Sequence, residues 1–322
     1  MMQDAILSFA KQFSFKPVIQ NKQNLTQKKQ FIVLGMGGSH LAADVLLAHT
    51  PSLPLLVHSD YGLPPLSQTE LKNTLIIASS FSGNTEEVVD GLRLALHKKL
   101  SVAVLSVGGT LQTIAERRKL PFIQLPNTGI QPRSALGFNT LALLKLMNQS
   151  TLVKEAAALS KHLDPKKFQS VGEALAKKIK GKVPVIYTSR RNSAVGYNWK
   201  IKLNETGKIP AFYNVFPELN HNEMTGFDVQ PTSKHLSESF YFLFLKDSSD
   251  HLQIQKRMHV MEKLYKRRGL TTHALELTGK TGFEKIFSSL LVADWTAVSV
   301  AAIYGLESEQ VPMVEEFKKM IE

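Results

Sequence analysis

The chain has 322 residues, 43% of them apolar, with 39 Lys and Arg against 27 Asp and Glu and no cysteine. That apolar fraction excludes a disordered chain, the length suggests about two domains, and the missing thiols exclude disulfides, thiolate metal sites and cysteine nucleophiles. The net charge of +12 raises nucleic-acid binding, but residues 1–150 hold 14 basic against 8 acidic side chains and residues 151–322 hold 25 against 19, so the excess is spread evenly, as on a solvated surface that also attracts small anions.

Met1-Met2-Gln3-Asp4 has no basic region ahead of a long apolar stretch, so no secretory signal is expected. No apolar run is read as approaching the roughly 18 residues of a membrane span, and a cytoplasmic location is the expectation. The first predicted strand is 31–34, Phe31-Ile32-Val33-Leu34, and Gly35-Met36-Gly37-Gly38-Ser39 follows it before a helix predicted over 39–48. A dinucleotide fingerprint would need glycine at His40, and no Gly-Lys-Ser/Thr closes the loop as in a Walker sequence. Two readings remain, a tight turn, or backbone amides and Ser39 facing a ligand beside the strand end.

Further strands are predicted at 55–57 and 74–78. The second of these, Thr74-Leu75-Ile76-Ile77-Ala78, runs into Ser79-Ser80-Phe81-Ser82-Gly83-Asn84-Thr85-Glu86-Glu87 and a helix predicted over 84–98. Four hydroxyls and a glycine at a helix start make an anion cradle, because free N–H groups and the positive end of the dipole lie there and glycine admits close approach. The competing reading is plain N-capping by Ser82 or Thr85. Strands at 102–106 and 121–125 and helices at 110–118 and 134–149 complete a first α/β half. Arg133, just before the last helix, is either half of a surface ion pair or a donor to developing oxyanions.

Leu152 to Asp164 is read as crossing between halves, with Asp164-Pro165 as a boundary signal. The second half repeats the pattern, with strands at 183–188, 211–214, 240–245 and 272–277 and helices at 166–180, 191–205, 252–268, 283–304 and 311–321. Alternation of this kind predicts parallel sheets covered on both faces, with ligands outside the carboxyl ends of the strands. Glu205 ends a predicted helix with Gly207 as its expected C-cap. The dipole disfavours a carboxylate there, which suits a base near neutral pH, although pairing with Lys202 or Lys208 is the plainer reading. His221 lies in Pro217-Glu218-Leu219-Asn220-His221-Asn222-Glu223, where an imidazole could move protons. His221 and Glu223 without a third ligand do not make a metal site.

These residues resemble a known family. Gly35-Met36-Gly37-Gly38-Ser39 followed by Ser80-Phe81-Ser82-Gly83-Asn84-Thr85 is similar to the sugar isomerase (SIS) domain. Pro132-Arg133-Ser134-Ala135, Asn204-Glu205 with Lys208 and Pro210-Ala211, and Pro217 to Glu223 resemble segments of bifunctional phosphoglucose/phosphomannose isomerases. The resemblance implies two SIS-type doubly wound parallel-sheet domains, placed at 1–152 and 153–322. It implies a metal-independent, cofactor-free aldose–ketose isomerase acting on glucose 6-phosphate and fructose 6-phosphate, with mannose 6-phosphate as a further substrate. Gly38, Ser39, Ser80, Ser82 and Thr85 would hold phosphate, Glu205 would move the proton and Arg133 would stabilise the enediolate; Glu218 and Glu223 are rivals of Glu205 for which structural or hydrogen-bonding roles are expected. His221 and Lys318 would open the ring. The lysine register is set by Phe317, with Lys319 one residue beyond, and Glu307 to Pro312 departs from the family's usual stretch before this helix. His40 stands where glycine is common, and either narrows the sugar site or caps the helix. A homodimer with active sites near the subunit interface is expected, with no nucleic acid or membrane partner. The alternatives are a non-catalytic phosphosugar sensor and an amino-sugar phosphate isomerase.

Overall fold

The computed structural model describes residues 2–321. The chain forms two compact units, one of residues 8–163 and one of residues 164–321 together with 2–7. The division falls at Leu163 and Asp164 instead of at 152 and 153. The physical reason is that the stretch read as a crossing is a helix, Ser150–His162, which packs on helix Leu136–Leu146 and on the 3₁₀ turn Phe9–Ser14. The expected helix over 134–149 stops because Asn148 turns left-handed at φ 56°, the backbone that ends helices most simply after glycine. Asp164 then caps the next turn by accepting from the Lys166 N–H at 3.1 Å, with Pro165 in the first position.

In the unit of residues 8–163, five parallel strands run β1 (Gln30–Leu34), β2 (Leu55–His58), β3 (Thr74–Ser79), β4 (Ser101–Ser106) and β5 (Phe122–Gln124), in the spatial order β2-β1-β3-β4-β5. All six residues of β3 are buried, as a central strand covered on both faces requires. Ile32, Leu34, Ile76, Ala78 and Val104 share one face with Val88, Leu92 and Ala95 of helix Glu86–His97 and with Leu111 and Ala115 of helix Gly109–Arg118. The alternate residues Val33, Ile77 and Ala103 stand in register on the opposite face. Helices Leu41–His49 and Leu136–Leu146 pack together and against the sheet. Gln12, 4% exposed, locks this layer: its amide donates to the Ser134 carbonyl at 2.7 Å and accepts from the Gly137 N–H at 2.9 Å.

The other unit holds β6 (Val183–Ser189), β7 (Phe212–Phe216), β8 (Phe240–Lys246) and β9 (Thr271–Glu276), all parallel, in the order β7-β6-β8-β9. One face is an aromatic core of Tyr187, Phe216, Phe242 and Phe244 against Met258, Met261 and Tyr265 of helix Leu252–Arg267. Helices Gln169–Ile179, Ser193–Glu205 and Gly282–Ile303 form a second packed layer, in contact through Ser193–Glu205 with β6 and β7. Gly172 lets two of them touch, since a Cβ there would lie 2.4 Å from the Trp295 Cβ. Within this layer Lys202 donates to Asp294 at 2.6 Å with both side chains buried. Helix Gly282–Ile303 corrects the expectation about apolar runs. It has 22 residues and a mean hydropathy of 1.8 over its most apolar stretch, enough by length and composition to cross a membrane, but 83% of that stretch is buried inside the unit. Its apolarity serves the core.

Candidate active site

At the carboxyl ends of β1, β3 and β4 three loops interlock. Ser79, the last residue of β3, donates from Oγ to the Ser39 carbonyl at 2.9 Å, and the Phe81 N–H returns to Ser39 Oγ at 2.9 Å. Ser80 Oγ accepts from the Gly83 N–H at 3.1 Å and the Thr85 N–H at 3.4 Å and is hydrogen-bonded to Thr85 Oγ1 at 2.8 Å. Ser82, which is exposed, accepts from the Asn84 N–H at 3.2 Å. The buried hydroxyls of Ser39 and Ser80 therefore shape the loops from within, each accepting from loop N–H groups, of which the Gly83 N–H also reaches the Ser80 carbonyl at 3.1 Å.

The third loop was missed in the sequence. Val107 and Leu111 donate their N–H groups to the carbonyls of Phe81 and Gly83, each at 2.9 Å. Asn84 Oδ1 accepts from the N–H and hydroxyl of Thr110 at 2.8 and 3.0 Å. Gly83, at φ 77°, faces Gly108 so closely that a Cβ would lie 1.8 Å from the Gly108 carbonyl oxygen. Val107-Gly108-Gly109-Thr110 was the available signal, a second glycine-rich strand-to-helix turn.

Helix Glu86–His97 begins at Thr85, which makes no side-chain cap hydrogen bond. Plain capping by Ser82 or Thr85 is therefore not the role of these hydroxyls, and the helix start, with Glu86 and Glu87 in its first turn, keeps its dipole end without a side-chain acceptor. The turn Pro132–Ser134 seats on Gly38, where a Cβ would fall 2.7 Å from the Arg133 nitrogen. That contact brings Arg133, 2% exposed, beside the first loop. His40 does not cap its helix. Its Nδ1 lies 2.5 Å from Asp44 Oδ2, one turn on, and the residue is 7% exposed.

The remaining candidates lie in the other unit. Glu205 ends helix Ser193–Glu205 and is half-buried. The left-handed residue after it is Lys208, at φ 58°, not Gly207. Gly207 is needed for another reason: a Cβ there would meet the Leu203 carbonyl oxygen at 2.7 Å. Asn204 binds the returning chain by donating to the Ile209 carbonyl at 3.0 Å, and the Lys208 ammonium donates to the Gln310 carbonyl. The loop after β7 buries Leu219 completely and leaves His221 exposed at the end of the turn Glu218–His221. Glu218 accepts from Asn222 at 3.2 Å, and Glu223 from Tyr187 and Asn214. Helix Pro312–Ile321 has no buried residue, and Lys318, 57% exposed, pairs with Glu315 at 2.8 Å. Among the described residues no three His, Asp or Glu side chains converge as metal ligands.

A polar network at the ends of β6 and β8 also went unread. Ser189 Oγ donates to Asp250 Oδ1 at 2.8 Å, Asn192 reaches Asp247 at 3.3 Å and Asp250 at 3.4 Å, and Lys285 donates to Asp247 at 2.8 Å. Burial works against the Asp247 carboxylate, but hydrogen bonds from Lys285 and the Ser249 N–H prevail and hold it below the usual carboxylate range. Asp250 goes the other way. Burial pushes it up, the Asp247 charge adds to the shift, and its Oδ2 is buried without a hydrogen-bond partner. A group raised in the folded state contributes stability that is full below its unfolded value and is lost as pH rises through the folded one. Asp250→Asn should therefore melt higher than the parent at neutral pH, with the gap closing in acid. Melting curves at pH 4 and pH 7.5 check this, and an unchanged or lower melting temperature at both would refute it.

Residues 168–321 match the family model described as the bacterial phospho-glucose isomerase C-terminal SIS domain. The chain is 32% identical to the bifunctional phosphoglucose/phosphomannose isomerase of Thermoplasma acidophilum, over 90% of this chain and 89% of that protein. It is 27% identical to the protein of the same name from Aquifex aeolicus, over 97% and 95%. Among solved structures, glucosamine-6-phosphate deaminase from Thermotoga maritima superposes with a TM-score of 0.70 at 13% identity, over 97% of this chain and 96% of that one. At that identity the likeness concerns the fold alone.

Proposed function

The chain belongs to the bifunctional phosphoglucose/phosphomannose isomerase family, and from that membership we propose that it interconverts glucose 6-phosphate and fructose 6-phosphate and also accepts mannose 6-phosphate. The observation that carries the reading is the interlocked cradle at Ser39, Ser80–Thr85 and Gly108–Thr110, set at a helix start that no side chain caps. Such a place suits a phosphate dianion.

The reaction moves a proton between carbons 1 and 2. It needs a base that takes and returns the proton, a positive group near the enediolate oxygens, and an acid and a base that open the ring. In this reading Glu205 is the base, Arg133 stabilises the enediolate, and His221 and Lys318 serve ring opening. Gly38, Ser39, Ser80, Ser82 and Thr85 build the phosphate seat. These groups supply each proton transfer and the charge stabilisation without a metal. A cytoplasmic homodimer is part of the proposal on the strength of the resemblance.

The test is a direct assay with glucose, mannose and glucosamine 6-phosphates, before and after exhaustive chelation. Fructose 6-phosphate from the first two, at full rate after chelation, is the expected result. Activity lost to chelator and restored by a divalent ion would overturn metal independence. Turnover of glucosamine 6-phosphate alone, or binding without turnover, would overturn the assignment itself.

A further inference from the structure

Tyr187 is wholly buried in β6, its ring packed against Phe216, Phe242, Phe244 and Tyr265 at centroid distances of 5.4 to 6.4 Å. Its hydroxyl is the polar end of that aromatic core, and it donates to Glu223 Oε1 at 2.5 Å. The other carboxylate oxygen of Glu223 accepts from Asn214 Nδ2, on the neighbouring strand β7. Asn214 is itself oriented, since its Oδ1 accepts from the Val215 N–H at 2.8 Å. The Glu223 N–H is bound by Asn222 Oδ1 at 2.5 Å. Two strands of the sheet thus grip one carboxylate, two residues beyond His221.

We propose that Tyr187 and Asn214, acting through Glu223, are positioning residues that hold the Pro217–Glu223 loop so that His221 is presented in a fixed place for ring opening. The loop leaves the sheet at Phe216 and returns to it at Glu223. Between these points Leu219 is anchored in the core, and Asn220 is held by Arg257 Nη1 at 3.3 Å. His221 is the exposed imidazole of a segment fastened on both sides. Burial, with Tyr265 and the Glu223 carboxylate nearby, pushes the Tyr187 hydroxyl far above its ordinary value. The clamp therefore keeps its proton donor throughout the pH range in which an imidazole titrates. A loop held only by surface contacts would let the imidazole wander, and displacement of a reacting group by about 1 Å costs on the order of a hundredfold in rate.

The proposal rests on the ring-opening role given to His221, and its test separates the two. Ring opening is read by itself as anomer exchange of glucose 6-phosphate, followed by NMR in the Glu205→Gln background, where proton transfer between carbons is silenced. Tyr187→Phe keeps the ring packing and removes one of the two contacts that grip the Glu223 carboxylate. It should slow anomer exchange by roughly ten- to a hundredfold while leaving KM for phosphosugar within about twofold, since the phosphate cradle is untouched. Glu223→Gln, which keeps an acceptor for Tyr187, should recover part of the rate lost in Glu223→Ala. If Glu223→Ala does not fold, Tyr187→Phe with its melting curve carries the test. His221→Ala sets the floor. Anomer exchange abolished by His221→Ala but unchanged in Tyr187→Phe would overturn the positioning role. Exchange unchanged in His221→Ala would overturn the reading beneath it. A parallel fall in KM-dependent binding and melting temperature, with exchange per bound substrate preserved, would assign the clamp to structure alone and also overturn the proposal.

Discussion

Glu205→Gln is expected to lower turnover by roughly a thousandfold, within the range for loss of a positioned general base, and to leave phosphosugar binding nearly unchanged. The amide keeps the shape and the reach of the side chain at the end of helix Ser193–Glu205. It cannot take up the proton that leaves carbon 2. Two measurements check this: kcat in a coupled assay, and exchange of the carbon 2 hydrogen with deuterium oxide. Both should fall together while KM holds. Near wild-type turnover would remove Glu205 from the mechanism. A rise in KM with kcat preserved would make it a binding group instead.

Gly83→Ala should have the largest effect on structure of any change in the cradle. The added methyl would lie 1.8 Å from the Gly108 carbonyl oxygen, a backbone atom that no rotamer change can move, and the residue sits at φ 77°. Backbone strain of about 1–3 kcal/mol and overpacking of about 1–3 kcal/mol both act. The loops after β3 and β4 must part, with loss of the Asn84–Thr110 bonds. A melting temperature lower by several degrees is expected, and inorganic phosphate, which should stabilise the parent by binding its folded state, should no longer raise it. Gly37→Ala is the control, because φ is 50° there and nothing lies within 4 Å of the added methyl. Equal losses in the two variants would show that the interlock contributes nothing beyond backbone strain.

Strands were legible for a simple reason. A parallel strand buried on both faces must be apolar throughout, and Thr74-Leu75-Ile76-Ile77-Ala78 shows it without alternation. Helix Ser150–His162 was not legible because the preceding helix ends at a left-handed asparagine, a weaker stop than glycine or proline. The serine-rich strand-to-helix loop was legible, but not the direction of its hydroxyls. Whether Ser80 faces a ligand or its own loop depends on Gly83 and Thr85 folding back over it, which composition does not reveal. Tertiary pairings were invisible altogether. Gln12 meets Ser134 and Gly137, and Asp247 meets Asn192 and Lys285, across separations that no local pattern encodes. Lys208 illustrates the limit of residue rules: glycine stands beside it and packs against the Leu203 carbonyl, yet the lysine takes the left-handed turn.

The two sheets share a central order, with β1 beside β3 in one and β6 beside β8 in the other. At the first of these junctions lie hydroxyls and glycines; at the second, Asp247 and Asp250. In the second, Asp247 is paired with Lys285, and one oxygen of Asp250 is buried without a hydrogen-bond partner. That junction carries its carboxylates as part of the polypeptide, where the other has hydroxyls and backbone N–H groups. The matching junction is framework, its polar groups spent on one another: Ser189 and Asn192 on Asp250, and Asn192 and Lys285 on Asp247.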